Sequence, residues 1–361
     1  MHLTKKIVLF HPHVSRGAIE AVKKILNGRW IGQGPKVDEF EKLWKEKISS
    51  PHAAVAVGSG TDALHLAYIL AGVREGDEVI TPVFTCTATN IPLLYQRAKI
   101  VFADVKKDSL LVDPEDIARK ITSRTKAIVV VHYGGTPCDM DEIQAIAKKH
   151  NVPVIEDAAQ AHGSVYKNKK IGSISDFTCF SFQAIKLIST ADGGMLTVKN
   201  PELVDKAKRI RWLGIDRDAK LKRKRNDDIT EVGYKYQMTD VAAGMGIGAL
   251  KEFDTTLEHH QKLADTYRKE LEGVPGVAYV GGPWLCTILT EKRKEIQKKL
   301  AEKGIESDLV HYRNDQYSVF GGRTNICPNM DSLEDKYLVL PQHYHLTVKD
   351  IKYICGVIKS R

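Results

Sequence analysis

The stretch that decides the fold runs from Ala127 to Gly163 and reads AIVVVHYGGTPCDMDEIQAIAKKHNVPVIEDAAQAHG. It begins with a β-branched apolar run at 127–132, which is typical of a strand buried on both faces. Helical spacing of apolar residues follows at 141–150, and a second apolar run follows at 152–156. A strand, a helix and a strand in this order predict a parallel β-α-β unit.

The same alternation extends toward the N-terminus. Short apolar strands are expected at 53–57, 78–81 and 100–104, and each is followed by a segment with helical spacing. An aromatic, alternating run at 176–182 predicts a further strand. The sequence therefore predicts an α/β fold with a mostly parallel sheet and helices on both faces.

The pattern changes after residue 250. Long charged helical stretches at 255–271 and 291–303 follow, with few strands between them. A chain of 361 residues is long enough for about two domains. We therefore expect a large α/β domain at 1–250 and a smaller C-terminal α+β domain at 251–361.

The charge balance is basic, with 54 Lys+Arg against 45 Asp+Glu and a net charge of +9. Most of this charge is dispersed, and the one dense basic run lies at 217–225. That run fits a solvated loop or a contact with an anionic substrate. A nucleic-acid partner is not expected, because no aromatic residues interleave with the run.

Six cysteines are present without C-x-x-C spacing, so we expect no zinc module, no disulfide framework and no metal site. No apolar run approaches the roughly 18 residues that a membrane-spanning helix needs. The apolar run at 7–10 is too short for the core of a signal peptide. The sequence predicts a soluble, cytoplasmic protein that does not interact with a membrane.

Ligands of open α/β sheets bind beyond the carboxyl ends of the strands, so the strand-to-helix junctions are the first candidates. One junction reads Gly58-Ser59-Gly60-Thr61-Asp62. Its small residues and hydroxyls suit an anion bound at a helix N-terminus. Simple helix capping explains this junction equally well when it is taken alone.

Two further junctions carry ionisable side chains. Glu156 and Asp157 end a buried strand, and since adjacent strand residues point to opposite faces, at most one of them faces a shared site. Asp157 could hold a positive charge on a ligand or cap the next helix. Lys186 follows the strand at 176–182 in an apolar setting, where a desolvated amine becomes a nucleophile toward carbonyls. An isolated lysine would otherwise be a solvated surface group.

Seven motifs occur in order along nearly the whole chain. They are Gly32-Gln33-Gly34-Pro35, Gly60-Thr61-Asp62-Ala63-Leu64, Pro137-Cys138-Asp139-Met140-Asp141, the segment 155–163, Ser181-Phe182 with Lys186, Gly193-Gly194, and 233–240. With these motifs the chain resembles the DegT/DnrJ/EryC1/StrS family of pyridoxal-phosphate-dependent nucleotide-sugar aminotransferases. The resemblance implies an aspartate-aminotransferase-like fold, that of the fold type I pyridoxal-phosphate (PLP) enzymes, with a seven-stranded sheet and active sites at a homodimer interface.

The resemblance also implies roles for individual residues. Lys186 would form the Schiff base with PLP and carry the proton during transamination, and Asp157 would pair with the pyridine nitrogen. The other implied cofactor contacts are Gln160 at the ring hydroxyl, Cys86 over the ring, Ser181, Gly60, Thr61 and Asp62 at the phosphate, and Lys235 from the partner chain. Candidate substrate contacts are Trp30, Arg211, His311 and Arg313.

The implied reaction moves the amino group of L-glutamate to a keto group of a nucleotide-linked 6-deoxy sugar. Carbon 4 is favoured over carbon 3, and the product is an aminosugar for glycan biosynthesis. A regulatory protein that binds PLP without turnover is the alternative. The retained Lys186, Asp157 and Gln160 argue against it, and the nucleotide and the sugar stay open.

Overall fold

The computed structural model describes residues 6–217, 219, 228–323 and 326–360. Its strands are β1 (Ala53–Val57), β2 (Glu78–Pro82), β3 (Phe84–Thr85), β4 (Lys99–Ala103), β5 (Thr125–Val131), β6 (Val154–Asp157), β7 (Val165–Tyr166), β8 (Lys169–Lys170), β9 (Phe177–Ser181), β10 (Gly194–Val198), β11 (Ala278–Tyr279), β12 (Cys286–Leu289), β13 (Tyr312–Arg313) and β14 (Tyr337–Leu340).

The α-helices alternate with these strands in the first half of the chain and are longer in the second half. They are α1 (Arg16–Leu26), α2 (Pro35–Trp44), α3 (Gly60–Leu70), α4 (Thr87–Tyr95), α5 (Pro114–Lys120), α6 (Met140–His150), α7 (Val204–Ile210), α8 (Asp240–Lys251), α9 (Phe253–Leu271), α10 (Arg293–Glu302), α11 (Pro328–Leu333) and α12 (Val348–Lys359).

Seven strands form the central sheet in the order β1-β10-β9-β6-β5-β2-β4. The strands from β9 to β4 run parallel, whereas β10 is antiparallel to both β9 and β1. The mostly parallel sheet predicted from the sequence is therefore confirmed. The reversed strand β10 begins at Gly194, within the glycine pair that the sequence analysis singled out.

Alternating side chains of β5 reach two separate cores, which explains why the strand reads as a continuous apolar run. Ala127 and Val129 pack in the core that contains α3, and Ile128 and Val130 pack in the core that contains Ile143 of α6. All four are fully buried. Helices therefore cover both faces of the sheet, as the sequence predicts.

A second sheet, β11-β12-β14, is antiparallel and belongs to the C-terminal part of the chain. Residues of α9, α10 and α12 share its apolar core. The N-terminal segment also reaches this part, because Ile7 pairs with Ile305. The domain boundary at residue 250 stays a prediction.

No helix among the described residues is long and apolar enough to cross a membrane. Helix α3 begins at Gly60, and the Ser59 side chain caps it by accepting a hydrogen bond from the Asp62 amide. Most of the basic run at 217–225 lies outside the described residues.

Candidate active site

The candidate site lies where two parallel strands of the central sheet end beside the start of a helix. Asp157 is the last residue of β6, Ser181 is the last residue of β9, and Gly60 is the first residue of α3. Strands β6 and β9 are neighbours, so their carboxyl ends meet at one edge of the sheet. This is the edge at which open α/β sheets bind ligands.

The two adjacent carboxylates of β6 have different surroundings. Glu156 is fully buried and pairs with His132, with Oε2 and Nε2 2.7 Å apart. Burial opposes its ionisation most strongly, but the hydrogen bond and charge of His132 together with hydrogen bonds from Ser175 lower the pKa of Glu156 overall. Glu156 therefore belongs to an internal network rather than to the site.

Asp157 accepts hydrogen bonds from Thr89 Oγ1 at 2.7 Å and from the Ala159 amide at 3.1 Å. Burial raises the pKa of this carboxyl, and these two hydrogen bonds only partly oppose the shift. A buried carboxylate with a raised pKa favours a cationic partner, because such a partner restores the charge balance. This environment suits the predicted pairing of Asp157 with a protonated pyridine nitrogen.

Lys186 lies in the turn after β9, with its Nζ 3.7 Å from the ring centroid of Trp284. Burial lowers its pKa to about 8, although the side chains of Asp157 and Cys86 oppose the shift. A substantial fraction of the amine is therefore neutral near pH 8, and a neutral amine can attack a carbonyl carbon.

Two neutral histidines lie close to Lys186. Burial, and then the charge of Lys186, lower the pKa values of His162 and His311 to about 3. His162 Nδ1 accepts a hydrogen bond of 3.3 Å from the Ile188 amide, so it helps to hold the turn that carries Lys186.

Gln160 connects His311 to the sheet. Its Oε1 accepts a hydrogen bond of 2.7 Å from the Gly134 amide, and its Nε2 lies 3.0 Å from His311 Nε2. Since the amide oxygen is already used, Nε2 donates and His311 accepts. Pairing of Tyr312 in β13 with Thr85 in β3 holds His311 on this side of the sheet.

The start of α3 is packed tightly against the end of β9. A Cβ atom placed on Gly60 would lie 2.7 Å from the Ser181 Cβ, which is closer than real side chains approach. This contact places the Ser181 hydroxyl beside the N-terminus of α3, where backbone amides attract anions. Burial raises the pKa of Asp62 in the first turn to about 6.

Two of the predicted substrate-binding residues, Arg211 and Arg313, form ion pairs with buried carboxylates of the same chain. Arg211 is buried, and its Nη1 donates to Glu41 Oε1 at 2.5 Å and to the Ala56 carbonyl at 2.8 Å. Arg313 is also buried, with Nε and Nη2 donating to the Asp315 carboxylate at 2.6 and 2.8 Å. These pairings argue against the predicted substrate contacts, because both guanidinium groups already serve the fold.

The other predicted residues are on the surface or at its edge. Trp30 is 42% exposed and lies beside Arg29, with 5.6 Å between the guanidinium carbon and the ring centroid. Cys86 is half-buried at the start of α4. Lys235 is exposed and pairs through its backbone with Trp212. The roles predicted for these three residues and for Thr61 stay predictions.

Three residues of the site were missed by the sequence analysis. Thr89 could have been found, since it lies in the polar segment that follows β2. His162 lies within the quoted motif at 155–163 but was given no role. Trp284 stands 98 positions after Lys186, and no spacing rule connects them. Among the described residues, no cluster of three or more His, Cys, Asp or Glu side chains could hold a metal ion.

The chemistry of these groups fits PLP. An amine of lowered pKa suits its aldehyde, and a buried carboxyl suits its pyridine nitrogen. The tight contact between Gly60 and Ser181 leaves a helix N-terminus and a hydroxyl beside each other, which suits its phosphate.

Comparison with known proteins places the chain among enzymes of this kind. It is 35% identical over 372 residues to the UDP-4-amino-4,6-dideoxy-N-acetyl-β-L-altrosamine transaminase of Campylobacter jejuni serotype O:23/36, covering 98% of this chain and 97% of the relative. It is 33% identical over 365 residues to the GDP-perosamine synthase of Escherichia coli O157:H7, covering 99% and 98%.

A solved structure shares both the fold and the cofactor class. The PLP form of the putative sugar aminotransferase Spr1654 from Streptococcus pneumoniae superposes with a TM-score of 0.90 at 27% identity, covering 98% of each chain. The expected fold type I architecture is therefore confirmed. The model of the DegT/DnrJ/EryC1/StrS aminotransferase family matches residues 13–359. The chain belongs to this family of PLP-dependent sugar aminotransferases.

Proposed function

We propose that this enzyme transfers the amino group of L-glutamate to the keto group of a nucleotide-linked 6-deoxy sugar, with carbon 4 as the favoured position and carbon 3 as the alternative. The observation that carries the proposal is the placement of Asp157 and Lys186 at one edge of the sheet, since Asp157 ends β6 and Lys186 lies in the turn after the neighbouring parallel strand β9. Aminosugar formation for a glycan is the proposed use of the product.

Each end of the cofactor has a matching group in this proposal. The Asp157 carboxylate holds a proton on the pyridine nitrogen, and Gln160 contacts the ring hydroxyl. Ser181 and the amides of Gly60, Thr61 and Asp62 bind the phosphate. When bound, PLP supplies an electron-withdrawing ring that stabilises negative charge on the carbon that loses its proton.

Lys186 moves the proton of the reaction. Its neutral amine accepts the proton from the substrate carbon that bears the nitrogen, and the resulting ammonium returns a proton. A pKa of about 8 suits both directions, because the amine and the ammonium are then both populated near neutral pH. His311 stays neutral beside Lys186 and does not compete as a cation.

The names of the relatives support the substrate class. The Campylobacter jejuni transaminase is named for a UDP-linked 4-amino-4,6-dideoxy sugar, which favours carbon 4. The Escherichia coli relative is named for a GDP-linked sugar, so the names of the relatives leave the nucleotide open. His311, at the site beside Gln160, is the proposed substrate contact of the C-terminal part.

A homodimer with shared sites completes the proposal. Lys235 of the partner subunit would place its ammonium at the cofactor phosphate. Its exposure is compatible with that role, and its neighbours Tyr234 and Tyr236 stack with a centroid separation of 5.0 Å. The Tyr236 carbonyl accepts a hydrogen bond of 2.7 Å from the Gly58 amide of the same chain, which fixes the backbone of this segment.

The test is an assay of the PLP-loaded enzyme with L-glutamate and a panel of UDP-, GDP- and dTDP-linked 4-keto- and 3-keto-6-deoxy sugars. Mass spectrometry should detect exchange of a keto oxygen for an amine, and NMR should place the amine at carbon 4. Lys186→Ala should give no product. Bound cofactor with no amination of any acceptor would contradict the proposal and favour the regulatory alternative.

A further inference from the structure

Trp284 makes the ring contact of Lys186, yet it belongs to a distant part of the chain. Its indole is 3% exposed, and the Lys186 Nζ lies 3.7 Å from the ring centroid. An indole face is the strongest aromatic partner for an ammonium group. The same face is apolar, so it also removes water from one side of the amine.

The indole is held from several directions. Its Nε1 donates a hydrogen bond of 3.2 Å to the carbonyl of Ile185, the residue before Lys186. Phe10 of the N-terminal segment stacks on it at 6.2 Å with an interplanar angle of 22°. The ring is therefore hydrogen-bonded to the backbone of the lysine turn and packed against the N-terminal segment.

The backbone of Trp284 is fixed to the turn that also holds Gln160. The amides of Trp284 and Leu285 both donate to the Gly134 carbonyl, at 3.0 and 3.2 Å. The approach is close, since a Cβ on Gly282 would lie 2.5 Å from that carbonyl oxygen. The Gly134 amide binds Gln160 Oε1, so one turn supports both Trp284 and Gln160.

We propose that Trp284 is a positioning residue for Lys186, whose indole face holds the free amine in place whenever Lys186 is not bonded to the cofactor. The lysine side chain is a flexible chain of four carbons, and without such a platform its amine would sample many positions. The platform keeps the amine within reach of the cofactor aldehyde and of the proton that it must move. The part of this inference that concerns proton transfer rests on the proposed function.

The first experiment needs no amino donor. Cofactor-free protein is mixed with excess PLP, and the first-order rate of covalent bond formation at Lys186 is followed by absorbance. Borohydride trapping and peptide mass spectrometry identify the lysine. We expect Trp284→Leu to slow this step by about tenfold, because without the indole platform the amine spends less time within reach of the aldehyde. Trp284→Phe retains a ring face and should restore most of the rate.

The control is Trp44→Phe, a matched change of a fully buried indole that packs on Phe180 and Phe182. It should lower thermal stability without changing the rate of bond formation. Wild-type rates in both folded Trp284 variants would overturn the inference. So would equal slowing by Trp44→Phe, because the effect would then report packing alone.

The second experiment measures proton transfer with L-glutamate and 2-deutero-L-glutamate in single turnover. A misplaced Lys186 should slow the removal of the proton, so Trp284→Leu should raise the deuterium isotope effect, and Trp284→Phe should lower it again. An unchanged isotope effect together with an unchanged bonding rate contradicts the inference. Suppose that Trp284→Leu slows formation of the Lys186–PLP bond, but the wild-type enzyme fails to react with any amino donor. The positioning role then stands and the proposed function fails.

Discussion

Thr89 Oγ1 donates a hydrogen bond of 2.7 Å to Asp157 Oδ2, and this bond joins α4 to the end of β6. On the neighbouring carboxylate, Thr178 Oγ1 donates to Glu156 Oε1 at 3.2 Å. The chain therefore holds two adjacent buried carboxylates with two buried threonines, and only the Thr89 pair belongs to the proposed cofactor site. This arrangement provides a variant and its control.

Thr89→Val should weaken PLP binding while preserving the shape of the site. Asp157 must be ionised to hold the pyridinium, and loss of a donor to a charged group costs about 1.5–3 kcal/mol. The dissociation constant for PLP, measured by titrating the cofactor-free protein, should therefore rise about tenfold to a hundredfold. Thr178→Val should lower the melting temperature and leave PLP affinity unchanged. Equal losses of affinity in both variants would contradict the assignment of Asp157.

Gly60→Ala should disturb the phosphate end of the site. The new methyl group would lie 2.7 Å from the Ser181 Cβ, so either α3 or the end of β9 has to move. We expect the dissociation constant for PLP to rise by about tenfold or more, since a small displacement misaligns amides that bind an anion. Gly356→Ala in α12 is the control, because its methyl group would meet no heavy atom within 4 Å. Unchanged PLP affinity in Gly60→Ala would place the phosphate elsewhere.

The pKa of Lys186 predicts a pH dependence of the cofactor-free protein. Folding lowers this pKa from 10.5 to about 8, so the charged lysine opposes folding below pH 8. The penalty fades as the pH rises from 8 toward 10.5, because the unfolded chain then loses the same proton. Lys186→Met should be more stable than the wild type toward urea at pH 7, and the difference should shrink by pH 10. A difference that stays constant over this range would show that the amine is not desolvated.

Local sequence patterns were sufficient for the part of the fold that carries the site. The alternation of strands and helices predicted the sheet, and the period of two along β6 predicted that Glu156 and Asp157 have separate surroundings. Lys186 was a candidate because it follows a strand in an apolar segment, and the family motifs around it favoured a role in the site over a solvated surface lysine. Each of these inferences depends on residues that are close together in sequence.

The features that sequence patterns could not supply are contacts set by the tertiary fold. Arg211 looked available for substrate because its partner Glu41 stands 170 positions earlier in the chain. Arg313 also looked available for substrate. Its partner Asp315 is only two residues away, but the burial of this pair depends on the tertiary fold and cannot be read from the sequence. Trp284 could not be connected to Lys186 from the sequence, because the two residues are far apart in the chain and meet only in the folded protein. The resemblance to a family supplied roles, but it could not supply these ion pairs.

The proposed shared site predicts complementation between two inactive variants. Lys186→Ala lacks the amine, and Lys235→Glu places a carboxylate beside the partner's phosphate, so each homodimer should be inactive or depleted of PLP. In a mixed dimer, one site would combine Lys186 of one chain with Lys235 of the other. Random exchange should therefore restore up to about a quarter of wild-type activity.

The control for complementation replaces Lys235→Glu with Lys303→Glu, which changes an exposed lysine at the end of α10. That variant should be active alone. An active monomer by sedimentation, or no recovery after demonstrated subunit exchange, would reject the shared site without affecting the role of Lys186.

The most direct measurement is the half-reaction of the PLP-loaded enzyme with L-glutamate in the absence of a sugar acceptor. The account predicts that the absorbance of the PLP form is replaced by that of the pyridoxamine form, with one 2-oxoglutarate released per site. Thr178→Val should behave like the wild type, and Lys186→Ala should release none. Wild-type enzyme that keeps its PLP spectrum and releases no 2-oxoglutarate, or a Lys186→Ala variant that converts at the wild-type rate, would contradict the account.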